Sequence, residues 1–258
     1  MSNHIISAKG HKKNAAKRDF ASIILMSTAP GHRMKSYGPV LLLPMGSRLL
    51  IDIHIDAIKA VYRNFELILC CGFEANKVAR YVKSKYSNLN IRIVEDQLYE
   101  DSSCCESLRI ALNNISSDNI LVLSGETMIF PELVKVHADE SYILTQEKAS
   151  KKSELELGSI VTGGVVSNIG FDLPNTWCEA FFLYGKQPIE CLRRIVSMDG
   201  YENKLIFEAL NDFVLTKFNL REVRIPFSTI KINNVKNYHK IRDIYERDST
   251  QLFIRNVV

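Results

Sequence analysis

Ser22-Ile-Ile-Leu-Met-Ser-Thr-Ala-Pro-Gly-His-Arg-Met-Lys-Ser-Tyr-Gly-Pro-Val-Leu-Leu-Leu-Pro44 is an apolar run that breaks into small residues and then turns apolar again. Ile23 to Met26 read as a strand buried on both faces, because no polar residue alternates with the apolar ones. Ser27, Thr28, Ala29, Pro30 and Gly31 carry little side-chain bulk. The backbone N–H groups of that loop are therefore open to close approach by a phosphate, and Arg33 and Lys35 stand just beyond to neutralise it. The plain alternative is an ordinary strand-to-loop turn with surface charge, and the loop alone does not decide between the two.

The same alternation continues downstream. Leu49 to Ala60 is apolar with polar positions at Asp52, Asp56 and Lys59, a length and spacing that predict a helix. His54 within it reads as a partly buried, hydrogen-bonded residue and is given no role. Phe65 to Cys71 reads as a second buried strand ended by Gly72, and Ala75 to Lys85 as a helix with Val78, Ala79 and Val82 inward. Ile91 to Val94 is a third strand, Ser107 to Ile115 a third helix with Leu108, Ala111, Leu112 and Ile115 on one face, and Ile120 to Leu123 a fourth strand. Strands alternating with helices predict an α/β fold: a mostly parallel, doubly wound sheet covered on both faces, with ligands at the carboxyl ends of the strands. From Asp139 to Lys152 the chain is polar, and Ser159 to Ile169 is β-branched and broken by Gly163-Gly164, which predicts a smaller β-containing half. Helical spacing returns at Ile189 to Ser197 and Phe207 to Thr216.

Composition bounds these readings. With 258 residues, 46% apolar and 24% charged, the chain is long enough to bury a large core. Its net charge of +4 is mild and comes largely from Lys9, Lys12, Lys13, Lys17 and Arg18, so it does not indicate a nucleic-acid groove. Residues 1–19 read as a flexible basic leader and 20–258 as one domain. Six cysteines, among them the vicinal pairs Cys70-Cys71 and Cys104-Cys105, lack the spacing of a disulfide framework or a zinc site. With no secretory signal or membrane-spanning run, the expected location is the cytoplasm.

The opening stretch resembles the signature loop of the sugar-phosphate nucleotidyltransferases, Leu-Ala-Ala-Gly-x-Gly-x-Arg-Met followed by Gly-Pro-Lys-x-Leu-Leu-Pro. Gly31, Arg33, Met34, Gly38, Pro39, Leu42, Leu43 and Pro44 match it. Met26-Ser27-Thr28 stands for the family's Ala-Ala-Gly, Ala29-Pro30 lengthens the loop by one residue, and Val40 stands for the family's catalytic lysine. Further matches follow in order. Gly46-Ser-Arg-Leu-Leu50 and Gly72-Phe73 match family turns, and Tyr99-Glu-Asp-Ser-Ser-Cys-Cys-Glu-Ser-Leu108 is similar to Tyr-x-x-Thr-Asn-Asn-x-x-Ser-Leu. Leu121-Val-Leu-Ser-Gly-Glu126 is similar to Leu-Val-Leu-x-Gly-Asp, Asn168-Ile-Gly-Phe-Asp-Leu173 to Ile-Gly-x-x-Leu, and Ile230-Lys-Ile-Asn233 to the segment with Asp-Ile-Asp.

The resemblance implies a nucleotide-binding half at about 20–138 and an acceptor half at about 139–258. It places Ser27, Thr28, Ala29, Gly31, Arg33, Gly72, Ser102, Ser103 and Gly125 against the nucleotide, with Arg33, Lys35 and Glu126 as the catalytic set. The plain reading of Ser102 and Ser103 is that they cap the helix after them. Glu179, at a family acidic position, and Trp177, the only tryptophan, are acceptor candidates; core packing is the alternative fate of Trp177. Glu126 and Asn233 stand at the two magnesium-ligand positions. The longer glutamate fits an octahedral ion less well and the neutral amide removes a charge, so Mg2+ is expected to be held weakly, and Asn233→Asp to strengthen it. Val40→Lys is likewise expected to raise turnover. The implied activity is transfer of a nucleotidyl group from a nucleoside triphosphate to a sugar phosphate or other phosphorylated acceptor with release of pyrophosphate, impaired by these changes. The alternative is a non-catalytic nucleotide-binding or scaffold protein that keeps the fold.

Overall fold

The computed structural model describes residues 22–136, 139–147 and 156–248. The expected basic leader and the expected start of the fold at Phe20 lie outside the described residues. In chain order the elements are β1 (Ser22–Ser27), β2 (Pro44–Met45), β3 (Arg48–Leu49), α1 (Leu50–Val61), β4 (Glu66–Cys71), α2 (Ala75–Lys85), β5 (Ile91–Glu95), α3 (Cys104–Leu112) and β6 (Asn119–Ser124). They continue as α4 (Pro131–Val134), β7 (Tyr142–Glu147), β8 (Leu157–Thr162), β9 (Val165–Phe171), β10 (Asn175–Tyr184), α5 (Lys186–Val196), α6 (Ile206–Val214), β11 (Arg221–Arg224) and α7 (Val235–Asp248).

Nine strands form one sheet in the order β5-β4-β1-β6-β10-β7-β11-β9-β8. β5, β4, β1 and β6 run parallel, with Leu25 level with Leu69 on one side and Leu123 on the other. The expectation of a mostly parallel sheet holds beyond β6 only where β11 runs parallel to β7. β10 runs antiparallel to β6, β7 and β8, and β8 to β9, so the sheet is mixed. A parallel neighbour needs a crossover connection, whereas the β-rich stretch after Tyr142 pairs through short returns such as the Gly163-Gly164 turn between β8 and β9.

Successive residues of β1 point to opposite faces, and each face has its own core. Ile23 and Leu25 pack with residues of α1, α2 and α4, while Ile24 packs with residues of α3, α5 and α6. A third cluster joins Met34 and Val40 of the loop after β1 to Leu50 and Ile53 of α1 and to Ile232, Tyr238 and Ile241 near the end of the chain.

Asp52 ties α1 to α2. Its carboxylate, 1% exposed, accepts hydrogen bonds from Tyr81, Tyr86 and Lys85 and from the Leu49 N–H. Burial opposes its charge, but those donors outweigh burial and hold its pKa below the usual carboxylate value. His54, two residues further on, is fully buried, and burial pushes its pKa down to about 3. The Thr127 backbone pulls weakly the other way, yet neither ring nitrogen reaches a partner at hydrogen-bonding geometry. The expected hydrogen-bonded, partly buried histidine is instead a fully buried neutral one.

Candidate functional site

Because β1, β4, β5 and β6 are parallel, the loops that leave them gather at one edge, and there they interlock through backbone. The Thr28 carbonyl accepts the Phe73 N–H at 2.7 Å, and the Met26 carbonyl accepts the Gly125 N–H at 2.7 Å. Close approach explains the glycines. A Cβ on Gly72 would stand 2.5 Å from the Tyr99 ring and 2.7 Å from the Thr28 carbonyl oxygen, and one on Gly125 would stand 2.9 Å from Ser27 Cβ. Gly31 is crowded in the same way, by Met34 Sδ at 2.7 Å and the Asn233 carbonyl oxygen at 3.1 Å.

The loop after β1 is held at its far end by a segment from nearly 200 residues away in sequence. The His32 N–H donates to the Asn233 carbonyl at 2.7 Å, and the Ile232 N–H donates to the Glu126 carbonyl at 2.6 Å. Residues 231–234 are thus inserted between the loops of β1 and β6, pairing His32 with Asn234 and Thr127 with Lys231. Within the β1 loop, the N–H groups of Ala29, Gly31 and Arg33 donate to no acceptor among the described residues. Arg33 is exposed and held at φ +57°, a left-handed conformation that costs a non-glycine residue energy and here turns the chain back toward Met34.

The remaining nucleotide candidates behave differently. Ser107 Oγ donates to Asp96 Oδ2 at 2.5 Å and lies 3.4 Å from Thr28 Oγ1, which links α3 to the β1 loop. Ser103 occupies the N-cap position of α3, but its side chain makes no capping bond, and Ser102 Oγ is buried without a partner. The capping expectation for these serines is corrected. The Ser103 and Cys105 N–H groups donate to the carbonyls of Glu202 and Lys204, so backbone from the segment before α6 covers this helix end. Lys35 is paired with Glu100 at 3.1 Å, and both side chains are well exposed.

The corner beyond β6 is built from charge. β10 carries a bulge between Trp177 and Phe181, with Glu179 at φ +51°. Both Glu179 carboxylate oxygens accept from Lys231 Nζ at 2.9 Å, and Glu126 Oε2 lies 3.5 Å from the same ammonium. Burial raises the Glu126 pKa against the pull of Lys231, with Glu179 adding to the rise. Burial works against the Lys231 charge too, yet the two carboxylates outweigh it and its pKa lies above the usual lysine value. Trp177 stands apart in the core beneath, 6% exposed, with its indole N–H donated to the Ala180 carbonyl at 3.1 Å.

The expected magnesium pair does not fit an ion. Asn233 Oδ1 accepts from the side-chain amides of Asn234 at 2.9 Å and Asn237 at 3.0 Å, and Glu126 faces Lys231. Among the described residues, no group of three or more His, Cys, Asp or Glu side chains is placed to hold a metal. Nor is Val40 at an active surface: it is 1% exposed in the third core cluster. Sequence reasoning missed Lys231, Asp96 and Glu100. For Lys231 a signal existed, since aligning Asp-Ile-Asp on Lys231-Ile232-Asn233 puts a lysine where the first aspartate would stand.

No protein-family model matches the chain, and no curated protein matches it. Solved structures do. The inositol-1-phosphate CTP transferase from T. maritima is 15% identical, with TM-score 0.67, over 87% of this chain and 96% of that one. The CTP:phosphocholine cytidylyltransferase from Streptococcus pneumoniae is 17% identical, with TM-score 0.66, over 87% and 98%. The nucleoside-diphosphate-sugar pyrophosphorylase from Vibrio cholerae RC9 is 14% identical, with TM-score 0.70, over 86% and 100%. The mixed α/β fold of this chain is the fold of those nucleotidyltransferases, along nearly their whole length.

Proposed function

We propose that this chain is a nucleotidyltransferase-type protein that binds a nucleoside triphosphate at the carboxyl edge of its parallel strands and acts on a phosphorylated small acceptor, with nucleotidyl transfer and pyrophosphate release slowed by its altered side chains. The observation that carries the reading is the loop after β1. It is fixed at both ends by backbone hydrogen bonds, it leaves the Ala29, Gly31 and Arg33 N–H groups without a backbone acceptor among the described residues, and it sets an exposed arginine beside them. The structural neighbours that share the fold are named for CTP transfer and nucleoside-diphosphate-sugar synthesis, which is consistent with a phosphate oxygen as the attacking group.

In that role Arg33 and the loop N–H groups hold the phosphates, and stabilisation of the charge that builds up at phosphorus falls to the remaining cations. A second reading, a binding protein without turnover, is favoured by Val40. The position of the family's lysine points into a packed apolar cluster, so no cation reaches the phosphates from there. The two readings separate in one experiment: thermal unfolding with each of the four ribonucleoside triphosphates, paired with a pyrophosphate-release assay over a panel of sugar phosphates, phosphocholine and inositol phosphate. One triphosphate is expected to stabilise the protein by about 2.7 kcal/mol at a hundredfold excess over its dissociation constant. Stabilisation with slow release supports the first reading, stabilisation with none supports the second, and no stabilisation by any triphosphate overturns both.

A further inference from the structure

Lys231 takes part in no role that the sequence assigned, yet it holds the centre of the corner where the resembled family keeps its metal. Its ammonium lies 2.9 Å from both Glu179 oxygens and 3.5 Å from Glu126 Oε2. Three features of the backbone put it there. Lys231 pairs with Thr127 directly after Glu126, the neighbouring Ile232 N–H is bonded to the Glu126 carbonyl, and the bulge of β10 sets Glu179 in a left-handed conformation. The side chain as a whole is 36% exposed.

A divalent ion placed against Glu126 would meet that ammonium at close range, in a partly buried setting where water screens their repulsion poorly. Asn233 offers no help, since its amide oxygen already accepts two hydrogen bonds. A lysine, by contrast, is a compact cation whose three donors re-aim easily, suited to move between carboxylate and phosphate oxygens.

We propose that the Lys231 ammonium is a built-in cation standing in for the divalent ion, so that this site binds no metal and takes nucleotide phosphates without one. The clause about nucleotide rests on the function proposed above; the clause about metal does not.

The test has two arms. In the first, Mn2+ is titrated into the full chain without nucleotide, and free Mn2+ is read by electron paramagnetic resonance for the unmodified protein, Lys231→Asp, and Lys231→Asp combined with Glu126→Gln. The unmodified protein is expected to bind no stoichiometric Mn2+. Lys231→Asp should gain a site at least about tenfold tighter, and the added Glu126→Gln should remove it. A stoichiometric Mn2+ site in the unmodified protein that Glu126→Gln abolishes would overturn the proposal, as would a folded Lys231→Asp that gains no site. If Lys231→Asp does not fold, the unmodified protein and its Glu126→Gln variant decide the matter. In the second arm, the thermal shift given by a triphosphate is compared in EDTA and in Mg2+. Equal shifts support the proposal, and a shift that needs Mg2+ overturns it. No shift in either buffer, with no Mn2+ bound in the first arm, upholds the substitution of ammonium for metal and overturns the nucleotide reading alone.

Discussion

The β1 loop and the Glu126 corner leave adjacent parallel strands, yet they are held by opposite means. The loop is fixed by backbone: carbonyls of Met26 and Thr28, a tight approach at Gly31, and a bond from His32 to Asn233. From Ser27 to Arg33 its side chains are small or, like Arg33, exposed. The corner is fixed by side chains, two carboxylates closed on one ammonium. Backbone hydrogen bonding depends little on residue identity, so the loop's hold does not require particular side chains at Met26, Ser27 and Thr28. A side-chain cluster, by contrast, changes its chemistry with each substitution.

The comparison would break first at Val40. If that position still belonged to the chemistry, Val40→Lys would raise turnover; buried at 1% exposure among Met34, Leu50, Ile53 and Ile232, it is instead expected to cost about 3 kcal/mol or more by placing an unpaired charge in an apolar cluster. Urea unfolding measures the loss. A variant as stable as the parent, with faster pyrophosphate release, would return Val40 to the active surface.

Gly72→Ala tests whether backbone contact shapes the loop. The new Cβ meets the Tyr99 ring and, less forgivingly, the Thr28 carbonyl, so a loss of about 2 kcal/mol is expected, together with a weaker thermal shift by triphosphate. An unchanged shift would mean that the β1 loop does not depend on its neighbour.

Beneath the corner, His54 is buried neutral under the Thr127 backbone. Its folded pKa, about 3, lies below the ordinary 6.5, so the unfolded chain binds the extra proton between those values. Stability is therefore full above the ordinary value and falls as pH drops through the window from about 6.5 to 3, by roughly 2 kcal/mol from pH 7 to pH 5. His54→Leu should flatten that slope in a pH series of unfolding curves, since it removes two ring nitrogens that have no partners. An equally steep slope in the variant would assign the acid sensitivity elsewhere.

The smallest effect on stability should come from Arg33. Arg33→Gly relieves the left-handed strain and is expected to change stability by no more than about 1 kcal/mol, while abolishing the triphosphate shift. Loss of the shift without loss of stability sharpens the contrast between a loop that folds by backbone and one that binds by charge.

What the sequence made legible follows the same division. α2 runs from Ala75 to Lys85 as its apolar positions predict, and β1, β4 and β6 are the buried strands that their apolar runs imply. The start of α3 was missed by three residues, because Cys104 to Glu106 carry no helical signal of their own and are fixed by backbone contacts from Glu202 and Lys204. The mixed half of the sheet was not legible either: which way β10 runs depends on partners far along the chain. Asp52 read as one polar helix position among several, but its buried role depends on Tyr81 and Lys85 of another helix and on Tyr86 just after it. The alignment of Lys231 with an aspartate was a signal in the sequence, but its role was not legible there, since only the fold supplies its two carboxylates.

The insertion of residues 231–234 between the loops of β1 and β6 also bears on the order in which this protein is assembled. β1, β4, β5 and β6 all lie before residue 125, so they can pair while the rest of the chain is still being made. The loop that follows the first of them cannot acquire its last restraint, the bond from His32 to Asn233, until Asn233 itself has emerged, about 200 residues later. A ribosome-bound chain would therefore carry paired parallel strands with an unfinished edge, completed when residues 231–234 arrive.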